Sequence, residues 1–240
     1  MLRHISASVD KVGADKSAVD SMRTELNKLD IKGQVVIGEG ELDDAPMLYI
    51  GEKLGTKKGP EFDIAVDPLE GTTICANGSN NALTVIAFAS KGGFLNAPDV
   101  YMEKIAVGPQ SKGLVSIDKS PTENLEAIAE ATGRGIRDLT AVILDRDRHA
   151  ELIDEVRQSG ARIRLIPDGD VAGALLVTDQ KYNIDIFLGI GGGPEGVLAA
   201  SAIDAYECKF QGRFIFENDN DIVRAKKMGI KDLKKKYNLN

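Results

Sequence analysis

The second half of the chain alternates short apolar runs with helical patterns, and this alternation restricts the possible folds most. Strand–helix–strand repeats of this length favour βαβ units in a mostly parallel sheet. The sequence therefore predicts an α/β protein whose functional residues follow the strands, where such sheets bind ligands. The predicted strands are 140–144, 162–166, 184–190 and 212–216, and the predicted helices between them are 149–158, 170–177 and 195–206.

The first half shows one amphipathic helix followed by shorter apolar runs. Residues 14–29 form the predicted helix, because Val19, Met22, Leu26 and Leu29 are spaced to share one face. A helix from the capping box at Ser120 to Gly133 opens the second half, so we expect domains 1–118 and 119–240. The end of the chain, 226–240, predicts a basic helix and an exposed tail. The remaining predicted strands are 34–40, 62–66, 82–90, 103–108 and 113–117.

The charge balance and the rare residue types exclude several kinds of function. Lys and Arg number 30 against 37 Asp and Glu, and the net charge of −7 argues against a nucleic-acid or membrane-surface partner. Two histidines make a zinc site or a Ser-His-Asp triad hard to build. Two cysteines, no signal-peptide pattern and no apolar run of membrane length lead us to expect a cytoplasmic protein.

Four groups of acidic residues lie at predicted strand ends or helix starts. Taken alone, Asp15 and Glu195 also suit helix N-termini, where the helix dipole favours an acid. Asp43 and Asp44, before Ala45-Pro46, also suit a turn. The four groups are Asp15, Glu39, the pair Asp67 and Glu70, and Glu195.

The stretch Asp67-Pro68-Leu69-Glu70-Gly71-Thr72 indicates metal-assisted phosphate chemistry. Two carboxylates at a sharp turn suit hard cations such as Mg²⁺ or Mn²⁺, which relieve their mutual repulsion. A helix that begins at Gly71-Thr72 presents free N–H groups to a phosphate, and Thr72 can orient an attacking water. Two metals about 3.5–4 Å apart would clamp the attacking and leaving oxygens.

The stretch DPLEGT resembles the D-P-(I/L)-(D/E)-G-(S/T) motif of the lithium-sensitive, metal-dependent phosphatase superfamily. With VVIGEGELDDAPMLYIGEKLG, FLNAPDVYMEKIAVGP, IPDGDVAGAL and GIGGGPEGV, the chain is similar to class II fructose-1,6-bisphosphatases from about Asp15 to its end. This resemblance implies a layered α/β/α/β/α, inositol-monophosphatase-like fold. It also implies a homo-oligomer that removes the 1-phosphate of fructose 1,6-bisphosphate, a gluconeogenic hydrolase reaction, with sedoheptulose 1,7-bisphosphate as a further candidate substrate.

The resemblance also implies roles for individual residues, in an N-terminal metal-binding domain and a C-terminal substrate-binding domain. Asp15 and Glu39 would hold one metal, and Asp67, Glu70 and Glu195 the other. Thr72 would position the nucleophilic water, and Asp43 is a weaker candidate for assisting Thr72 as a base. The substrate-binding positions would be Glu70, Gly71, Thr72, Tyr101, Arg146, Asp147, Arg148, Asp168, Gly169, Asp170 and Gly192.

Residue chemistry supports part of this assignment, with ordinary alternatives. Arg146 and Arg148 follow a strand at i, i+2 and can fork onto a phosphate, although surface salt bridges are equally common there. Asp168 and Asp170 suit sugar hydroxyls, and Asp170 also suits an N-cap. Tyr101 on an alternating strand also suits half-buried packing.

Two departures from the family pattern leave alternatives open. Residues 6–15 read SASVDKVGAD where the family has a GRGDKN-like stretch, and a C-terminal family portion with a Thr-Gly motif is expected to be absent. The chain is then either a truncated form or one joined across missing segments, and a non-catalytic regulatory relative is one alternative function. Another is dinucleotide binding, because GGGPEG at 191–196 satisfies G-x-G-x-x-G, although Glu195 would repel a pyrophosphate.

Overall fold

The computed structural model describes residues 10–38, 47–111 and 113–239, which belong to two compact units, Met1–Ala97 and Pro98–Asn240. Both units are mixed α/β structures with one mixed sheet each. The division falls before the boundary expected near residue 118, because the strand at Tyr101–Val107 pairs with strands of the second unit. No helix in the described ranges is long and apolar enough to cross a membrane.

The first unit has a four-stranded sheet in the order β2-β1-β3-β4. Strands β1 and β3 are parallel, and β2 and β4 pair antiparallel with them. Helix α1 packs Val19 and Leu26 against Val35, Ile64 and Val66 of the sheet, which forms the core of the unit. Its elements are α1 (Lys11–Leu26), β1 (Lys32–Ile37), β2 (Lys53–Leu54), β3 (Glu61–Glu70), α2 (Thr72–Ala76) and β4 (Leu83–Ala89).

Helix α1 differs from the sequence prediction at both ends. It begins at Lys11 after the N-cap Asp10, whose carboxylate accepts from the Gly13 N–H at 2.8 Å. It ends at Leu26, so the helical spacing that predicted a buried Leu29 no longer applies there. Leu29 is 44% exposed, and its assignment to the apolar face was wrong.

The second unit has a six-stranded sheet in the order β10-β9-β5-β8-β6-β7. Its core lies between the sheet and helices α3 and α4, with Ile105, Leu125, Ile143, Val156 and Ile186 fully buried or nearly so. Its elements are β5 (Tyr101–Val107), α3 (Pro121–Thr132), β6 (Thr140–Leu144), α4 (Ala150–Ser159), β7 (Arg162–Ile166), α5 (Asp170–Leu175), β8 (Ile186–Gly192), α6 (Gly193–Ala205), β9 (Lys209–Ile215), α7 (Asp219–Lys227) and β10 (Tyr237–Asn238).

This sheet is mixed rather than mostly parallel as the alternation predicted. Strand β6 runs parallel to β7 and β8, but β5 lies between β8 and β9 and is antiparallel to both. The connection from β8 through α6 to β9 therefore passes over one strand. The alternation of strands and helices correctly predicted the elements, but it carried no information about a strand inserted from earlier in the chain.

Two local predictions for the second unit were wrong. Residues 113–117 are not a strand, although Val115 and Ile117 are buried. The N–H groups of Ser116 and Ile117 donate to the side chains of Asn124 and Gln211 at 2.9 and 2.8 Å, so no neighbouring strand is needed. No helix spans the described residues 228–239: α7 ends at Lys227, only two residues into the range 226–240, and Tyr237–Asn238 pairs with β9.

Candidate functional site

The predicted substrate residues of the second unit lie at one edge of its sheet. Strands β6, β7 and β8 are parallel, so their carboxyl ends meet at the same edge. Arg146, Asp168 and Gly192 follow or end these three strands in turn. Because β5 is antiparallel to β8, Tyr101 at its start pairs with Gly192 and lies at that edge too. We call this region the carboxyl edge.

Arg146 and Arg148 contact opposite neighbours at the carboxyl edge. Arg146 donates to the Pro167 carbonyl and, at 3.2 Å, to Asp168 after β7. Arg148 donates through Nε to the Ile190 carbonyl of β8 at 2.9 Å. The structure therefore does not show the parallel fork expected from their i, i+2 spacing, and Arg146 forms the salt bridge that the sequence left open.

Tyr101 and Arg148 form a cation–π contact, with the guanidinium carbon 5.0 Å from the ring centroid. Tyr101 is 37% exposed, so its ring is partly packed and partly accessible, as the half-buried alternative expected. Asp147, between the two arginines, is also exposed. These groups give the carboxyl edge a surface of mixed charge with one aromatic ring.

His149 fixes the backbone beneath this surface, and the sequence analysis gave it no role. It is 0% exposed. Its Nδ1 lies 2.7 Å from the Leu144 carbonyl, and its Nε2 accepts from the Ile190 N–H at 2.8 Å, which assigns the neutral Nδ1–H tautomer. Burial lowers the pKa of His149, which agrees with that tautomer. The ring therefore joins the end of β6 to β8.

Asp170 faces into the protein rather than capping helix α5. Gly169, with φ 90° and ψ 74°, is the N-cap, and Asp170 is the first helical residue. The Oδ2 atom of Asp170 accepts from the buried ammonium of Lys104, while its Oδ1 is buried without a partner. The N-cap alternative for Asp170 is therefore wrong. Lys104 is a second residue that the sequence analysis did not single out.

Glu195 lies in the first turn of α6, as its position before an apolar run predicted. Its Oε2 is buried without a partner, and a side chain at Gly192 would overlap that atom. Burial raises the pKa of Glu195, although the nearby positive charge of Lys104 opposes that rise. The carboxylate lies where a dinucleotide pyrophosphate would have to bind, so this turn does not favour the dinucleotide alternative.

In the first unit, β3 continues through the predicted acidic pair instead of ending at Asp67. Its register against β4 shifts between Asp67 and Glu70, because Pro68 has no N–H for the ladder. The Leu69 N–H donates to Asp67 Oδ1 at 3.1 Å, and the Thr84 hydroxyl donates to the Pro68 carbonyl at 3.0 Å. This bulge sets the directions of the two carboxylates, of which Glu70 is 4% exposed.

Gly71 and Thr72 form the predicted transition from strand to helix. Gly71 is the N-cap of α2, with φ 82° and ψ 50°, a left-handed conformation that suits glycine. A Cβ there would lie 2.7 Å from Ile74, so space also requires glycine. Thr72 is the first helical residue and is half-buried.

Asp15 lies in the second turn of α1, beside the same region of the first unit. Its neighbour Ala14 packs in a cluster with Leu69 and Cys75, which brings this turn to the end of β3. Its Oδ1 is buried without a partner, and burial raises the pKa of Asp15. Because Asp10 caps the helix, the alternative that Asp15 is a cap is wrong.

The oxygen chemistry of these residues fits a hard cation. Glu39 and Asp43 lie outside the described residues, and no group of three or more metal-type side chains occurs within the described ranges. Asp15 and Glu195 nevertheless each keep a buried carboxylate oxygen without a protein partner. A divalent cation is the kind of partner that such oxygens accept.

Comparisons with known proteins agree with the motifs. Residues 3–240 match the family described as "Bacterial fructose-1,6-bisphosphatase, glpX-encoded". A D-fructose 1,6-bisphosphatase class 2/sedoheptulose 1,7-bisphosphatase 2 of Acaryochloris marina is 45% identical over 252 residues, with 95% of this chain and 72% of the relative covered. Fructose-1,6-bisphosphatase 1 class 2 of Escherichia coli K12 is 46% identical over 234 residues, with 92% and 70% covered. The chain belongs to the glpX-encoded family of bacterial fructose-1,6-bisphosphatases.

Proposed function

We propose that the protein hydrolyses the 1-phosphate of fructose 1,6-bisphosphate to give fructose 6-phosphate and phosphate. The observation that carries the proposal is the strand, bulge, glycine turn and helix formed by residues 67–76 in a chain of this family. The names of relatives such as the Acaryochloris marina protein also support sedoheptulose 1,7-bisphosphate as a second substrate. Both substrates carry a phosphate monoester at the carbon to be freed.

The proposed roles in the first unit follow from the turn after β3. Thr72, at the start of α2, orients the attacking water through its hydroxyl group, and the N–H groups of Gly71 and Thr72 face the phosphate to be cleaved. Asp43 accepts the proton that the water loses. Asp67 and Glu70 are held in place by the bulge around Pro68.

The proposed roles in the second unit belong to the carboxyl edge. Arg146 and Arg148 bind the phosphate that is not cleaved, with Tyr101 supporting the Arg148 guanidinium. Asp168 and Gly169 contact the sugar hydroxyls, and Gly192 provides close backbone approach. Asp170 supports this turn from below through Lys104.

Divalent cations, Mn²⁺ or Mg²⁺, complete the proposed site at two positions. Asp15 and Glu39 would hold one ion, and Asp67, Glu70 and Glu195 would hold the other. Bound cations would supply Lewis acidity and make a coordinated water easier to deprotonate.

Phosphate release from fructose 1,6-bisphosphate tests the proposal. We expect turnover with Mn²⁺ or Mg²⁺ and none with EDTA. Thr72→Ala should lower kcat by about 10²-fold or more, since it removes an oriented hydroxyl group. The exposed neighbour Thr73 offers a matched control, and Thr73→Ala should retain activity. Full activity of Thr72→Ala would refute the assigned role, and no release from the wild type would favour a non-catalytic relative.

The family also supports three broader proposals. We propose that the two mixed sheets belong to the layered α/β/α/β/α, inositol-monophosphatase-like fold, that the protein is a homo-oligomer, and that it acts in the cytoplasm. Light scattering at several protein concentrations tests the second of these.

A further inference from the structure

Lys104 places a buried positive charge beneath the carboxyl edge. Its side chain is 0% exposed, and its ammonium group contacts the carboxylate of Asp170. Its stem lies against Gly196, where an added Cβ would come within 3.1 Å of Lys104 Cε. A buried ammonium group loses its hydration, so an opposite charge in direct contact must compensate it. The ion pair therefore links strand β5 firmly to the start of helix α5.

From Asp170 the chain of contacts continues to Arg146. Asp170 directly follows the turn at Gly169, whose left-handed backbone conformation reverses the chain direction after Asp168. Asp168 accepts from Arg146 Nη2 at 3.2 Å, and Arg146 also donates to the carbonyl of Pro167 in the same turn. The guanidinium of Arg146 is thus held by residues whose position depends on where Asp170 is anchored.

Gly191 shows that the space around the ion pair is filled. A Cβ at this position would overlap Asp170 Oδ2 and would lie 3.2 Å from Lys104 Nζ. The backbone φ of Gly191 lies outside the left-handed region, so space alone requires glycine here. A methyl group at residue 191 therefore disturbs the same ion pair without removing its charges.

We propose that Lys104 is a positioning residue for the substrate: through Asp170 it fixes the turn at 167–170, and so the Arg146 guanidinium that receives a phosphate group. The inference rests on the proposed function, because it takes a sugar bisphosphate as the ligand. Since the Lys104 side chain is 0% exposed, it acts through Asp170 and not by touching the substrate. Its loss should weaken substrate binding and leave the hydrolytic step largely unchanged.

The test compares Lys104→Met with the wild type. Met has a similar unbranched stem without the charge, and Lys227→Met, at the exposed end of α7, removes the same charge away from the carboxyl edge. Calorimetry in EDTA measures fructose 1,6-bisphosphate binding with hydrolysis blocked. We expect Lys104→Met to bind about tenfold more weakly and to raise KM in parallel. Its kcat should stay within about threefold of the wild type.

Other outcomes would overturn the inference. Binding within about twofold of the wild type would show that Lys104 does not position the substrate. A loss of kcat with unchanged binding would instead assign its charge to the hydrolytic step. If the wild type neither binds nor hydrolyses the bisphosphate, the proposed function itself fails, so the two failures are distinguishable.

Gly191→Ala provides a second perturbation if Lys104→Met does not fold. It should weaken bisphosphate binding in the same way, because the added methyl group displaces the ion pair. Gly135→Ala is its control: Gly135 has an extended backbone, and an added Cβ would lie 3.3 Å from the flexible carboxylate of Asp138. Equal binding by Gly191→Ala and Gly135→Ala would contradict the inference.

Discussion

His149 provides the sharpest test of how the carboxyl edge is held together. Replacing it by leucine keeps an apolar side chain of moderate size but removes both hydrogen bonds of the ring. The Leu144 carbonyl and the Ile190 N–H then lose the partners that they have at 2.7 and 2.8 Å. Because His149 is fully buried, water does not readily replace the ring.

The two unpaired backbone groups set the size of the effect. Each costs about 1–3 kcal/mol when buried without a partner, so His149→Leu should lower the free energy of unfolding by about 2–6 kcal/mol. His149→Gln, whose amide oxygen can accept from Ile190, should lose less. Arg148 donates to the Ile190 carbonyl, so the leucine variant should also bind the bisphosphate more weakly.

The imidazole ring also predicts how the difference in the free energy of unfolding between wild type and His149→Leu depends on pH. Burial lowers the pKa of His149 below its ordinary value of 6.5; the charge of Arg148 lowers it further, and that of Asp170 raises it. As the pH falls below 6.5, the unfolded chain therefore binds the proton before the folded chain does. The stabilisation by His149 is complete above that pH and is lost towards the lower pKa of the folded state, by up to about 1.4 kcal/mol per pH unit.

Urea denaturation measures the free energy of unfolding. Circular dichroism follows the transition, because the chain contains no tryptophan whose fluorescence could report it. The free energy of unfolding is compared between wild type and His149→Leu from about pH 7.5 to pH 5.5, in EDTA. The difference should be constant at the upper end and should shrink at the lower end. A difference that does not change with pH would refute the neutral, buried imidazole.

Three further predictions concern single positions. Glu195→Gln should raise the melting temperature of the EDTA-treated protein by about 2–4 °C, because it neutralises a buried carboxylate. It should also reduce the stabilisation that Mn²⁺ confers. A lower melting temperature in EDTA would contradict this prediction. Gly71→Ala should lower the free energy of unfolding, measured by urea denaturation, by about 1–3 kcal/mol, because φ is 82° and a Cβ would lie 2.7 Å from Ile74. It should also lower kcat. Unchanged values of both would argue against the glycine turn. Ser120→Ala should cost about 1 kcal/mol and leave kcat unchanged, because only the capping box with Glu123 is lost.

Elements whose signals are local in the sequence could be predicted from it. Helix α3 begins after the capping box at Ser120 and ends at the left-handed Gly133, as predicted, because both ends depend on residues within a few positions. The strand at 62–66 was likewise predicted from its apolar run, and the helix start at Gly71-Thr72 from the DPLEGT stretch. The sequence did not predict that β3 continues to Glu70. That continuation depends on a register shift against the partner strand β4, which no residue near Asp67 specifies.

Features that depend on distant partners could not be predicted. Residues 113–117 have the composition of a strand, but the side chains of Asn124 and Gln211 satisfy their N–H groups. The insertion of β5 between β8 and β9 separates the units earlier than the change of pattern near residue 118 suggested. Gln211 and the strands β8 and β9 are all far in sequence from the segments that they control.

Lys104 and His149, which support the candidate site from below, are harder to recognise in the sequence than the motif residues. Lys104 lies on the same side of β5 as Met102 and Ala106, both buried, and a lysine at such a position requires a buried acid. That signal was present in the sequence, but the identity of the acid was not. His149 follows four consecutive charged residues, 145–148, so only the structure shows its burial.

Buried side-chain oxygens without a hydrogen-bond partner support the candidate site independently of the motifs. Among the described residues, the buried side-chain oxygens or nitrogens without a partner belong to Asp15, Asp170 and Glu195. Folded chains pair nearly all buried polar atoms, so such exceptions call for a partner outside the chain. The motifs had identified the same three acids from their positions at strand ends and helix starts. Because this rule takes no account of sequence pattern, the agreement favours a cation as the partner of the Asp15 and Glu195 oxygens.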